Sequence, residues 1–313
     1  MIEVQSLTRY FGTRRALDDV SFSIASNEVV GFLGLNGAGK TTTLRVLAGL
    51  LSPSLGTVRI DGADLASAPV SFRARIGYLP DDPPLYREMT VDAYLRFVGS
   101  LRGMSKGQLD ARLPSVLDKA QLAAVRHRVI AELSHGYRQR VGIAQAIVHA
   151  PKLVILDEPI TGLDPVQIVE MRKVIRRLGD ESTVLLSSHN LPEISQTCDR
   201  ILVLNGGRLV AQGTETELAR RLHTGLSIEL VLRGDLAAVT ALLRAHGEVA
   251  SHEARALGEG LVEASVQLKS NSREALVAAL VGAGFGVRRV ADRSGELEEI
   301  FLGLTATSRE EAA

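Results

Sequence analysis

The octet Gly34-Leu-Asn-Gly-Ala-Gly39-Lys40-Thr41 constrains the fold of this chain more than any other segment, because it follows the apolar run Glu-Val-Val-Gly-Phe-Leu at residues 28–33. Such a run reads as a strand buried on both faces, a glycine-rich turn ends it, and residues 40–51 then read as a helix. The spacing fits G-x-x-x-x-G-K-[ST]. Gly34, Gly37 and Gly39 let the backbone turn tightly and aim its N–H groups inward, and Asn36, Gly37, Ala38 and Gly39 are expected to bind phosphate. The helix N-terminus adds partial positive charge, which makes an anion cradle. Lys40 can reach the β- and γ-phosphates of a nucleotide, Thr41 can place its hydroxyl on Mg²⁺, and Thr42 packs near the α-phosphate. An ordinary glycine-rich strand–helix turn is the competing reading. A lysine at that one position, with a hydroxyl after it, argues against it.

Composition removes several classes of function. Lys+Arg and Asp+Glu are 36 each, for a formal net charge of zero, so nucleic acid held by bulk positive charge is excluded. Of the 313 residues 45% are hydrophobic and 23% charged, enough apolar surface to offset chain entropy. That length predicts about two domains. The longest uncharged stretches, residues 46–58 and 275–287, hold 13 residues each, short of the roughly 18 that a bilayer-spanning helix needs. Glu3 stands where a secretory leader would be apolar. Cys198 is the only cysteine, so intrachain disulfides and thiolate clusters are excluded. Together these features predict a cytoplasmic chain.

Strand-like and helix-like patterns alternate over the first ~215 residues, which predicts a largely parallel sheet covered on both faces. Residues 1–7 and 16–24 alternate as antiparallel strands do, and residues 75–79, 153–156, 183–186 and 201–204 read as further strands. Residues 90–133 are helical only and look like an insertion, with Ser105-x-x-Gln108 as a capping box. Residues 137–149 read as a helix. Asp164-Pro165 reads as an N-cap with proline at the first helical position, opening a helix to about residue 178. After the polar stretch 213–225 a second unit reads strand 227–232, helix 235–246, strand 248–252, strand 261–268, helix 272–283, strand 286–291 and a short helix 296–303. This βαββαβ order predicts a small α+β ferredoxin-like domain over residues 226–305, with 306–313 a frayed tail. Residues 216–313 hold 11 basic and 14 acidic side chains, a net of −3 that reads as a solvated surface and counts against RNA binding.

Residues 153–156, Leu-Val-Ile-Leu, run into Asp157 and Glu158. An apolar strand of this kind delivers both acids at the carboxyl edge of the sheet, where α/β folds bind ligands. Asp157 is suited to hold Mg²⁺, directly or through water. Glu158, one residue on, is suited to polarise a water for attack on a γ-phosphate. Alone, an apolar run ending in Asp-Glu is a common acidic turn; beside the glycine-rich loop it gains meaning.

Leu133-Ser134-His135-Gly136-Tyr137, followed by Arg138-Gln139-Arg140, resembles the LSGGQ segment of ABC-type ATPases, in the LSxGYRQR form of ABC-2-type export systems. Gly162-Leu163-Asp164-Pro165 resembles their D-loop, Ser187-Ser188-His189 their switch histidine, and Ile76-Gly-Tyr-Leu-Pro80 the strand entering their Q-loop. The resemblance covers residues 1 to about 215. Residues 296–305 are more loosely similar to the tail of many ABC-2 ATP-binding subunits, gliding-motility and drug-export types included. The resemblance implies an α/β P-loop NTPase fold: an ABC cassette over residues 1–215, with a parallel sheet core, an N-terminal antiparallel β part and the helical insertion at about 90–133. It also implies an ATP-binding and hydrolysing subunit, with ATP and Mg²⁺ as ligands, that powers a membrane transporter from the inner face of the membrane. Two copies would close head to tail, each ATP lying between one glycine-rich loop and Ser134, His135, Gly136 and Tyr137 of the other copy. His189 would hydrogen-bond the γ-phosphate and orient the attacking water, and Asp164 would serve the D-loop. A separate permease would supply the membrane spans, and no nucleic acid partner is expected.

Two departures from the family pattern stand out. Asp81 occupies the position where many members carry the Q-loop glutamine, and the adenine-stacking aromatic falls on Tyr10 or Phe11, the place of Phe11 before Gly12 favouring it. A soluble ABC ATPase acting on nucleic acid or ribosomes is the alternative function. One glycine-rich loop, and no heptads between Lys40 and Leu133, disfavour it. The second domain reads as an accessory or regulatory unit.

Overall fold

Six strands build the sheet on which the glycine-rich loop sits. They are β3 (Val29–Leu33), β6 (Ile76–Leu79), β7 (Leu153–Leu156), β8 (Thr183–Ser188), β9 (Arg200–Asn205) and β10 (Arg208–Gly213), in the order β10-β9-β3-β8-β7-β6. All neighbours are parallel except β10, which returns antiparallel to β9. The register pairs Phe32 with Ser187 and Leu156 with Leu186, so β8 lies between the strand that enters the loop and the strand that ends in Asp157. A computed structural model supplies this architecture, and it describes residues 1–222, 226–270 and 272–292. The chain divides into two compact units, Met1–Glu215 and a second beginning at Thr216.

A second, antiparallel sheet of the first unit holds β1 (Ile2–Phe11), β2 (Arg14–Ile24), β4 (Leu55–Ile60) and β5 (Ala63–Asp64), ordered β2-β1-β4-β5. The two sheets meet through a shared core in which Phe22 and Phe32 pack at 5.8 Å between ring centres. The helices of this unit are α1 (Lys40–Leu47), α2 (Pro69–Arg73), α3 (Val91–Leu101), α4 (Lys106–Lys119), α5 (His135–Ile147), α6 (Pro165–Gly179) and α7 (Leu191–Thr197), and α8 (Glu215–Leu222) opens at the boundary. The expected capping box is formed: Ser105 accepts from the Gln108 N–H while the Gln108 side chain accepts from the Ser105 N–H. Asp164 caps α6 ahead of Pro165.

Several boundaries differ from the sequence reading. α1 stops at Leu47 because Gly49, at φ +69°, turns the chain out of the helix. α5 starts at His135, two residues early, since Ser134 is its N-cap. The stretch 213–225 is not a plain polar linker, because α8 lies within it. The β4, β5, α2, α7 and β10 segments were not anticipated. They are short or half solvent-facing, and their hydrophobic periods are weak.

In the second unit β11 (Leu226–Arg233), β12 (Val249–Gly258), β13 (Leu261–Leu268) and β14 (Gly286–Asp292) form an antiparallel sheet ordered β12-β13-β11-β14, with α9 (Leu236–Ala245) and α10 (Arg273–Gly282) between them in sequence. Alternation along β13 buries Val262, Ala264, Val266 and Leu268 against Val239 and Leu243 of α9 and Leu276 and Leu280 of α10. This is the ferredoxin-like order. The helix expected at 296–303 and the frayed tail lie outside the described residues. Among the described residues no helix is long and apolar enough to cross a membrane.

Two glycines anchor this frame. A Cβ on Gly77 would lie 2.0 Å from the Ala146 carbonyl oxygen, so β6 packs directly on α5. A Cβ on Gly31 would lie 2.4 Å from Ile194 and 2.9 Å from the buried Cys198 Sγ, so α7 presses on β3 just as closely. Gly77→Ala meets backbone that cannot yield and is expected to destabilise the first unit by about 1–3 kcal/mol. Gly107→Ala, at an open position of α4, is expected to stabilise by up to about 1 kcal/mol. Urea midpoints of the two variants, shifted in opposite directions, check both.

Candidate active site

The parallel register brings the carboxyl ends of β3, β7 and β8 to one edge, where the following side chains converge on a cleft of about 350 Å³. One wall is the loop 34–39 with Lys40, Thr41 and Thr42 of α1; the other carries Asp81, Asp157 and Glu158, and Phe11 stands at the rim. Gly39, the N-cap of α1, takes φ +105°, and a Cβ there would lie 2.8 Å from Leu17 Cδ2. A Cβ on Gly34 would lie 2.6 Å from the Leu204 carbonyl oxygen. Both close approaches draw the loop tight against the core. No side chain caps α1, whereas Ser134 caps α5 and Asp164 caps α6. The first-turn N–H groups of α1 are therefore left to whatever anion enters the cleft.

Lys40 is only 6% exposed, and its ammonium donates to the Gly34 carbonyl at 2.6 Å and lies 3.5 Å from Glu158 Oε1. Asn36, Gly37, Gly39, Thr41 and Thr42 line the cleft with it. Ala38 faces the other way: its N–H donates to the Leu35 carbonyl and its own carbonyl accepts from the Gly207 N–H, so it braces the loop.

Asp157 is 3% exposed and accepts a hydrogen bond from the Ser187 hydroxyl at 2.7 Å. Burial pushes its carboxyl above the usual range. The Ser187 and Thr41 hydroxyls oppose that rise, and the negative charges of Glu158 and Asp81 add to it. Glu158 sits at φ +49°, a strained conformation for a residue with a side chain. It is held there by its N–H donating to Ser187 Oγ at 3.0 Å, and by the Thr161 N–H donating to its carbonyl at 3.2 Å. Its Oε2 accepts from the Thr161 hydroxyl at 3.2 Å and lies 3.0 Å from His189 Nδ1. The imidazole therefore grips the carboxylate, an arrangement the sequence reading, which aimed it at a phosphate, did not anticipate.

Of the two candidate aromatics, Phe11 lines the cleft, under the Arg9 guanidinium at 4.9 Å. Neighbours on a strand face opposite ways, and Tyr10 is not among the lining residues; its N–H donates to Ser54 Oγ at 3.1 Å. Asp81 lines the cleft, and its carbonyl accepts from Gln139 Nε2 at 3.3 Å, which ties α5 to the segment after β6. Ser134, His135, Gly136, Tyr137 and Asp164 do not line the cleft. They gather where α5 and α6 begin. A Cβ on Gly136 would lie 2.5 Å from Gln167 Oε1, and His135 Nε2 lies 3.3 Å from the Thr161 carbonyl oxygen. The Tyr137 ring packs under the Arg140 guanidinium.

The donor set suits a hard cation. The half-buried Thr41 and the buried Asp157 offer oxygen atoms, while no group of three His, Cys, Asp or Glu converges as a metal cage among the described residues. Magnesium takes one or two protein oxygens and completes its shell with water and phosphate, and that fits.

Ser187 is the functional residue whose role the sequence reading missed. One hydroxyl donates to Asp157 and accepts from the Glu158 N–H. The available signal was a hydroxyl closing an otherwise apolar strand. Ser187→Ala removes the hydroxyl shared by the buried Asp157 carboxylate and the Glu158 N–H and is expected to destabilise by about 1–3 kcal/mol. A drop in the urea midpoint with the parent's fold by circular dichroism checks this.

The family profile described as ABC transporter matches residues 17–161. The uncharacterized ABC transporter ATP-binding protein MJ1023 of Methanocaldococcus jannaschii is 39% identical over 222 residues, 71% of this chain and 80% of that one. The daunorubicin resistance ATP-binding protein DrrA3 of Streptomyces coeruleorubidus is 36% identical over 311 residues, 98% of this chain and 96% of that one. A bacterial ABC transporter cassette solved as a dimer superposes with a TM-score of 0.61 at 25% identity, over 68% of this chain and 98% of that one. By sequence and fold alike, the chain belongs to the ATP-binding subunits of ABC transporters, a family of ATPases.

Proposed function

We propose that this chain hydrolyses ATP as the motor subunit of an ABC-2-type exporter, working as a head-to-tail pair beneath a separately encoded permease at the inner face of the membrane. The observation that carries the reading is a division of labour. Lys40, Asp157 and Glu158 line the cleft, with His189 bonded to Glu158, while the Ser134–Tyr137 turn stands outside it. The α5 N-terminus, where the Ser134 hydroxyl accepts only from the Tyr137 N–H at a long 3.5 Å, serves no anion of its own chain and is suited to serve a second copy's. The export class rests on the LSxGYRQR form and on the match to a drug-resistance ATP-binding protein, which runs through the second unit as well.

In this reading Phe11 stacks on the adenine. The α1 N-terminus and loop residues Asn36, Gly37, Gly39, Lys40, Thr41 and Thr42 hold the phosphates. Thr41 and Asp157, with Asp81 facing them, would hold Mg²⁺, which when bound neutralises phosphate charge. The arriving γ-phosphate gives Lys40 a stronger partner than Glu158, and the carboxylate is released to act as general base. Glu158 takes a proton from water as the water oxygen attacks the γ-phosphorus. The bond from that phosphorus to the β–γ bridging oxygen breaks, and its electron pair leaves on ADP. His189 keeps the carboxylate turned toward the attacking water. Ser134 and Gly136 of the second copy close over the γ-phosphate with the α5 dipole, so ATP favours the closed pair and its hydrolysis the open one. Residues 1–215 form the motor, and the second unit acts as an accessory or regulatory domain.

Two variants test this. Glu158→Gln is expected to accumulate an ATP-bound dimer with turnover lowered at least about 100-fold; turnover at the parent rate would refute the general base. Ser134→Arg is expected to abolish ATP-driven dimerisation on size exclusion while fluorescent-nucleotide binding stays within about twofold. Loss of both together would argue against a site completed by the second copy.

A further inference from the structure

One path of hydrogen bonds connects the two places that the proposed function assigns to different nucleotides. His135 is the first residue of α5, next to its cap Ser134. Its Nε2 donates to the Thr161 carbonyl oxygen at 3.3 Å. The Thr161 hydroxyl in turn donates to Glu158 Oε2 at 3.2 Å, the oxygen that also meets His189. The Thr161 N–H closes the same turn onto the Glu158 carbonyl. Glu158 holds a left-handed backbone in that turn, so its carboxylate position depends on contacts that keep the turn shut. The starts of α5 and α6 touch here as well, with Gln167 Oε1 lying 2.5 Å from where a Cβ on Gly136 would stand.

We propose that His135 and Thr161 are positioning residues that couple the two nucleotide sites. A phosphate drawn against Ser134 and Gly136 displaces the first turn of α5. That displacement bears on the Thr161 carbonyl through His135 and re-aims Glu158 over the chain's own nucleotide. The coupling requires a donor on the side chain at 135 and a hydroxyl at 161. It rests on the head-to-tail reading, because only there do Ser134 and Gly136 face a nucleotide other than the one Glu158 attacks. Coupling of this kind between two sites appears as cooperativity.

Steady-state hydrolysis against ATP concentration tests the relay. His135→Leu and Thr161→Val are each expected to lower kcat about tenfold and to bring the Hill coefficient from about 2 towards about 1, with monomer nucleotide affinity unchanged. His135→Gln, which restores an N–H donor, and Thr161→Ser, which restores the hydroxyl, are expected to recover both. A Hill coefficient and kcat at the parent values in His135→Leu and Thr161→Val would overturn the relay, and so would equal losses in the Gln and Ser variants, which would mark a packing role. Should Glu158→Gln fail to dimerise, the head-to-tail reading falls and the relay with it. A dimer that forms in that variant while His135→Leu keeps parental cooperativity removes the relay alone.

Discussion

The Lys40 ammonium is drawn back at 2.6 Å onto the Gly34 carbonyl, with a carboxylate oxygen of Glu158 3.5 Å away, and it is almost wholly removed from water. A buried cation of this kind is tolerated only with polar partners at hand. The glycine-rich loop supplies one, and the strand end across the sheet supplies the other. Those two segments are far apart in sequence. They meet because β8 pairs with both β3 and β7 and brings their carboxyl ends to the same height. Ser187 sits at that junction, opposite Phe32, and its hydroxyl fixes Asp157 and the Glu158 backbone together. The site is thus a property of the sheet register as much as of the residues that line it.

Close backbone approach is the second constraint. Gly34, Gly39, Gly77 and Gly136 each stand where an added carbon would meet another segment at 2.0–2.8 Å. They are spread from the loop to β6 to the start of α5, and they bring the parts of the cassette closer than side chains would allow. Gly136 stands in the first turn of α5, where the Gln167 side chain of α6 reaches across it.

Much of this was legible in the chain itself. The strand at 153–156 and the strand at 261–268 emerge at the boundaries read from sequence, because each is bounded by turn residues and buried on at least one face. The Ser105–Gln108 and Asp164–Pro165 caps were legible because capping depends on a few adjacent residues. The βαββαβ order of the second unit was legible from its alternation. What escaped was set by long-range packing. The β10 strand is a half-exposed edge and carries little periodicity, and the role of Ser187 exists only once β3, β7 and β8 are aligned. The link from His135 to Thr161 joins residues 26 apart in sequence, and nothing local to either announces it.

The lone thiol of Cys198 lies under Gly31 behind α7, and burial pushes its ionisation well above the ordinary range. Thiolate is the reactive form, so this sulfur stays silent toward maleimides and other alkylating dyes while the fold holds. The chain is thereby a near-blank background for spectroscopic labelling. A single cysteine placed on an exposed position such as Val166 would carry a fluorophore or spin label without removal of the native one.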